Sequence, residues 1–136
     1  MNPALAAFLG TWQLTSGNQS LSNCTNANAD GDTVEPTTIQ IVFTLGSTSD
    51  LVGTYQGQDS SGCSFNVNVN DTVATAVAGQ TCTEVGTTET DLLALDTYTF
   101  VLSGTASDER GTGTITDEDD TSITCDFTGN ATYQKL

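Results

Sequence analysis

The sequence predicts an all-β domain, an antiparallel up-and-down β-barrel of about eight strands behind a short N-terminal helix, with a two-sheet β-sandwich as the structural rival. Three observations carry that expectation. The polar residues are mostly Thr, Ser, Asn, Asp and Gly, a strand-and-turn composition in which β-branched Thr suits a pleated surface. Segments that alternate apolar with polar residues follow one another at the spacing of a meander. No helical pattern is long enough to cover a sheet. At 136 residues the chain supports one hydrophobic core and reads as a single domain, 1–136.

Asn2-Pro3 ahead of Ala4-Leu5-Ala6-Ala7-Phe8-Leu9-Gly10 reads as a helix of one or two turns, capped by Asn2, with Pro3 in its first position and Gly10 at its end. Trp12 and Leu14 then alternate with Thr11 and Gln13, the pattern of a half-buried strand. From Ser16 to Pro36 large apolar residues almost vanish, and the segment reads as a long polar loop held by Cys24. Beyond it, Thr38 to Leu45 puts Ile39, Ile41, Phe43 and Leu45 on one face. Leu51 to Gln56 groups Leu51, Gly53 and Tyr55, and Cys63 to Val69 groups Cys63, Phe65, Val67 and Val69. A turn at Asn70-Asp71 leads into Thr72 to Ala78, whose small residues narrow that side of the core. Asp96 to Leu102 aligns Tyr98, Phe100 and Leu102, Gly111 to Asp117 offers little beyond Ile115, and Ser122 to Tyr133 aligns Ile123, Cys125, Phe127, Ala131 and Tyr133.

Seventeen acidic residues against two basic ones, without histidine, give a formal charge of -15. Such a surface repels phosphate backbones and anionic membranes, which argues against a nucleic acid partner. The four cysteines are widely spaced and form no C-x-x-C pair, so two disulfides are a better reading than a zinc site. Strand parity favours Cys63 with Cys82 and Cys24 with Cys125, the other pairings remaining open. Disulfides place the domain in an extracytoplasmic compartment: secreted, periplasmic or cell-surface. The longest early apolar run, Ala4 to Leu9, is too short for a signal peptide or transmembrane segment, so in an exported protein Met1 reads as a trimmed or a mature boundary.

The run Phe8-Leu9-Gly10-Thr11-Trp12-Gln13-Leu14 resembles the opening of intracellular fatty-acid-binding proteins and the G-x-W signature of lipocalins, both calycin barrels. Tyr133-Gln134-Lys135-Leu136 resembles the last strand of the first group. Gly10-Thr11-Trp12 and Gly53-Thr54-Tyr55 give a weaker avidin-like echo, without that family's several tryptophans. The resemblance is architectural. It implies that Trp12 and Lys135 plug the closed end of the barrel, the lysine packing across the indole. It also marks a departure, because the fatty-acid-binding group carries a carboxylate-binding arginine where this chain has Ala131.

Without histidine, and with cysteines paired, the commonest general base and nucleophile are missing, and no enzyme activity is expected. Carboxylate pairs among Asp91, Asp96, Asp108 and Glu109 read as solvated turn residues. The run Asn26-x-Asn28-x-Asp30-Gly31-Asp32 resembles the oxygen spacing of a calcium loop, with Thr37 where a bidentate Glu is required and Glu35 the nearest acid. Asn26, Asn28, Asp30 and Asp32 are therefore the metal-site candidates, in a chain otherwise expected to need no cofactor.

The functional expectation is a non-catalytic binding module for a neutral small hydrophobic ligand, with a pocket of Ile41, Phe43, Tyr55, Phe65, Phe100, Phe127 and Tyr133. Neutrality follows from the lack of a basic partner for a buried ligand carboxylate. The alternative is a protein-interaction or surface-structural module, such as the folded part of a lipoprotein, in which those side chains fill the core.

Overall fold

The computed structural model describes residues 2–57, 61–86 and 89–136. A short helix α1 (Pro3–Ala6) precedes β1 (Gly10–Ser22), a 3-10 turn (Ala27–Ala29) and β2 (Gly31–Val34). There follow β3 (Gln40–Leu45), β4 (Leu51–Gln56), β5 (Ser64–Asn70), β6 (Val73–Ala76), β7 (Thr81–Val85), β8 (Thr90–Ser103), β9 (Ala106–Asp117) and β10 (Thr124–Lys135). Eight strands close an antiparallel barrel in the order β1-β3-β4-β5-β6-β8-β9-β10, and β10 returns to β1. A barrel, not a sandwich, is formed. Among the described residues no helix is long and apolar enough to cross a membrane.

The two remaining strands explain the barrel's shape. β2 pairs with Asn18–Leu21 of β1, above the stretch Gly10–Gln13 that pairs with β3. β7 likewise pairs with Thr90–Ala94 of β8, above the Thr99–Val101 stretch that pairs with β6. The long strands β1, β8, β9 and β10 thus form a tall wall, while β3 to β6 close only its lower half. Thr15 in β1 and Asp96 in β8 drop out of the ladder register at the junction of the two tiers. Each bulge adds one residue and reverses side-chain parity, so Gly17 follows Leu14 inward and Tyr98 follows Leu95.

The lower tier is solid. Asn2 caps α1 by accepting from the Ala4 amide, and Gly10 takes a φ of 114° that turns the chain into β1. Phe8 and Trp12 close the end of the barrel against Phe43 and Phe100, with ring centroids 4.9 Å apart for Phe43–Phe100 and 5.3 Å for Trp12–Phe100. The Trp12 indole N–H donates to the Phe8 carbonyl at 2.8 Å. Lys135 lies with Nζ 5.6 Å from the Trp12 ring centre and donates to the Ala7 carbonyl at 2.9 Å, so one side chain fastens the last strand to both helix and indole.

The polar segment 16–36 is not one long loop. β1 continues through Ser22 and β2 begins at Gly31, leaving only 23–30 between them. Its strand character is invisible as apolar alternation because the inward positions Gly17 and Gln19 border the upper tier, where there is no packed core to require large apolar groups. Cys24 bonds to Cys125 of β10 and Cys63 to Cys82 of β7. The first bridge holds the 23–30 loop to the last strand, and the second ties β7 to the lower tier.

The closed loops differ in length, with separations of 101 and 19 residues. In the chain-entropy picture the longer crosslink restricts the unfolded state more. Urea denaturation of C24A/C125A is expected to show a loss of about 4–5 kcal/mol, against about 3 kcal/mol for C63A/C82A. Equal losses would mean that native-state contacts of the bridges, not loop closure, set their contribution.

Candidate functional site

Above the aromatic layer the barrel is hollow, with a cavity of about 80 Å³. Its apolar wall comes from Leu14 of β1, Phe65 of β5, Leu93 and Leu95 of β8, and Phe127 of β10. Gly111 on β9 and Gly129 on β10 face it without side chains, which leaves the volume open. Gly113, one inward step further along β9, is required by close packing: a Cβ there would collide with the Ala94 carbonyl and the Phe127 ring.

At the floor sits a polar cluster centred on Glu109. Ser107, Glu109, Gly111, Gly113 and Ile115 occupy the inward positions of β9, and the Glu109 carboxylate meets three phenols from three other strands. Its Oε2 accepts from Tyr55 of β4 at 2.6 Å and from Tyr98 of β8 at 2.5 Å, while its Oε1 accepts from Tyr133 of β10 at 3.1 Å. The Phe65 ring braces this group, 4.5 Å edge-to-face from Tyr98 and 5.7 Å from Tyr55. Glu35, just after β2, and Glu84 of β7 bring two more acidic side chains to the cavity.

Burial pushes the Glu109 carboxyl above the usual carboxylate range, against the three phenol donors that favour its ionised form. The phenols are raised well above their ordinary range by burial first and then by the charge of Glu109. Burial likewise raises Glu35, with the Glu109 charge adding to it. Each of these shifts is the cost of placing negative charge in a poorly hydrated space without a cation.

Of the expected pocket residues, Tyr55, Phe65, Phe127 and Tyr133 line the cavity. Ile41, Phe43 and Phe100 do not: they are 0%, 1% and 0% exposed in the packed lower tier. Their strands β3 and β8 carry them below the junction, where Phe8, just after α1, and Trp12 fill the barrel end. Glu109 is the main correction among the acidic residues, since it lies inside the barrel and not on a solvated turn. Asp108 is exposed, Asp96 is the bulge residue of β8, and Asp91 pairs in register with Asp117, so these three do not join it in the cavity. An earlier start to β9 is the signal that was there to find: from Ser107 to Ile115 every second residue belongs to the interior.

The proposed calcium oxygens organise their own loop. Asn26 accepts from the Asn28 amide at 3.1 Å, Asp30 from the Cys24 amide at 3.0 Å, and Asp32 from the Ser20 hydroxyl at 2.5 Å. Among the described residues no group of three or more His, Cys, Asp or Glu side chains is arranged to hold a metal ion.

Two outcomes follow from the electrostatics. Asp91 is raised to about 6 by burial, then by Glu89, Asp117, Asp119 and Glu118. Between its ordinary value of 3.8 and about 6 the folded state binds more protons than the unfolded one, so stability falls as pH rises through that window. Glu35 and Glu109 act in the same sense. Scanning calorimetry is expected to give a higher Tm at pH 5 than at pH 7.5, and D91N should raise Tm at pH 7.5 while leaving it nearly unchanged at pH 4. The second outcome concerns the cluster: Y98F removes a donor to a buried charge and should lower stability at pH 8 by about 1.5–3 kcal/mol in urea, less at pH 5.

The barrel with its N-terminal helix is compatible with a calycin-like architecture, but comparison with known proteins identifies no family, since no family, curated protein or solved structure matches the chain.

Proposed function

We propose that this chain is a non-catalytic binding module that takes a small ligand in the upper tier of the barrel. The observation that carries the reading is the contrast between the two tiers: one barrel holds a solid aromatic plug in its lower half and, among the tall strands above it, a cavity with convergent polar groups. At about 10–15 Å³ for each water position, the space holds roughly half a dozen waters or a ligand fragment of similar size. The apolar walls suit the hydrocarbon body expected of the ligand. The acidic floor departs from the wholly apolar pocket that the sequence suggests, and it demands hydrogen-bond donors of whatever reaches it.

Three phenols converging on one carboxylate form a recognition cluster and not a nucleophile with its base. Two disulfides support an oxidising, extracytoplasmic setting. Secretion, a periplasmic location and a place in a lipid-anchored surface protein all fit that setting.

The alternative of a protein-interaction module rests on β2. All four of its residues are exposed, Val34 at 77%, and among the described residues it pairs with β1 alone. Such an edge can accept a strand from a partner. Native mass spectrometry after incubation with a metabolite extract distinguishes the two readings. A retained small mass, lost on heating, is the expected result; self-association of the chain alone, abolished by V34K, would replace the cavity reading with the edge.

A further inference from the structure

The donor and acceptor inventory of the cavity goes further than its shape. Each phenol has one O–H, and Tyr55, Tyr98 and Tyr133 all direct theirs at Glu109. With those protons committed, the cluster offers incoming molecules only lone pairs: those of the phenol oxygens and the remaining acceptor position of Oε1. A ligand meeting it must bring donors.

The charge balance points the same way. The chain has two basic side chains. Lys135 is engaged at the closed end with the Ala7 carbonyl and the Trp12 ring. Arg110 is exposed, on the face of β9 opposite to Glu109. Neither lines the cavity, and among the described residues Glu109 is held there by three neutral phenols. Glu35 stands over the same space, its β-carbon packed beside Gly17. Aromatic rings at the cluster, Phe65 and Tyr98, complete an environment that favours a positive charge next to π-faces.

We propose that the cavity is a receptor for a small organic cation, an alkylammonium whose N–H groups are bound by Glu109 and its ring of tyrosine oxygens and whose hydrocarbon part lies along Phe65 and Phe127. This rests on the cavity being the ligand site and specifies its chemistry. Net charge, hydrogen-bond polarity and apolar lining each select against another class: anions, acceptor-only molecules and fully hydrated metal ions respectively.

The proposal includes a pH dependence. The groups facing Glu109 are Tyr55 from β4, Tyr98 from β8 and Tyr133 from β10, with Glu35 beyond β2 and Glu84 of β7 also on the cavity. The phenols stay protonated and the alkylammonium stays charged at pH 5 to 8. Burial raises the Glu109 and Glu35 carboxyls, so these take up protons first on acidification, and affinity falls as they do.

Calorimetric titration of the whole chain with n-butylammonium, 1-butanol and butyrate, three probes of similar size, tests it. The expected order is n-butylammonium tighter than 1-butanol by about tenfold or more, with butyrate silent. E109Q, verified as folded by its near-UV spectrum, should bind the amine and the alcohol about equally, while Y98F weakens the amine alone and stays folded. Equal binding of amine and alcohol to the unaltered protein, or an amine preference that survives E109Q, would overturn the cation and leave the cavity standing. If no probe binds, the cation is again overturned, and the native mass spectra decide separately whether the cavity holds anything.

Discussion

Everything above the plug depends on closure of the sheet between its first and last strands. β1 and β10 pair from Trp12 with Lys135 to Ser22 with Asp126, along almost the full length of both. That ladder leaves no free edge between them, sets the inward parity of Trp12, Leu14 and Tyr133, and places Lys135 against the indole. It also carries the upper tier. β3 leaves β1 after Gln13, so the rest of β1 is held on one side by β10 and on the other only by the short β2. A hollow upper half is the consequence of four tall strands standing above four short ones.

Where side chains meet a packed core, the sequence shows its structure plainly. Ile41 with Phe43, Leu51 with Gly53, and Phe65 with Val67 alternate because a one-residue slip would turn each set into water. The helix cap at Asn2 and the Trp12–Lys135 contact are legible for a related reason, since local chemistry or a family resemblance singles out those residues. Around the cavity the pattern fades. Inward positions there are Gly17, Gln19, Glu109, Gly111 and Gly129, which read as loop because nothing large and apolar is required of them. The bulges at Thr15 and Asp96 interrupt the alternation just where the tiers meet, so a fixed period of two cannot be followed from Leu14 to Gly17 or from Leu95 to Tyr98. Candidate site residues were therefore recoverable where they were aromatic and obscure where they were small or acidic.

Glu109 is the feature least consistent with stability alone. A carboxylate taken out of water without a cation is costly even with three donors, and an apolar side chain would meet the geometric needs of the position. The surrounding strands are nonetheless committed to it: β4, β8 and β10 each contribute a tyrosine aimed at the same two oxygens. A buried polar network of this kind must be nearly satisfied to be tolerated, and this one is satisfied in a way that leaves acceptors facing the cavity. Local cost at a convergent site is the pattern expected where ligand recognition, not folding, has shaped the residue.

The register across β9 and β10 gives that reading its sharpest form. Ala131 is the cross-strand partner of Glu109. It is also the position at which the resemblance to fatty-acid-binding proteins implies an arginine for a ligand carboxylate. With a methyl group there, the last strand contributes no cation, and the adjacent strand supplies a carboxylate at the same height. This barrel could hold either polarity, because closure and plug are set by side chains of the lower tier that take no part in the choice. The sign of the cavity is set by the carboxylates of Glu109, Glu35 and Glu84, and no basic side chain stands among the described residues that line it.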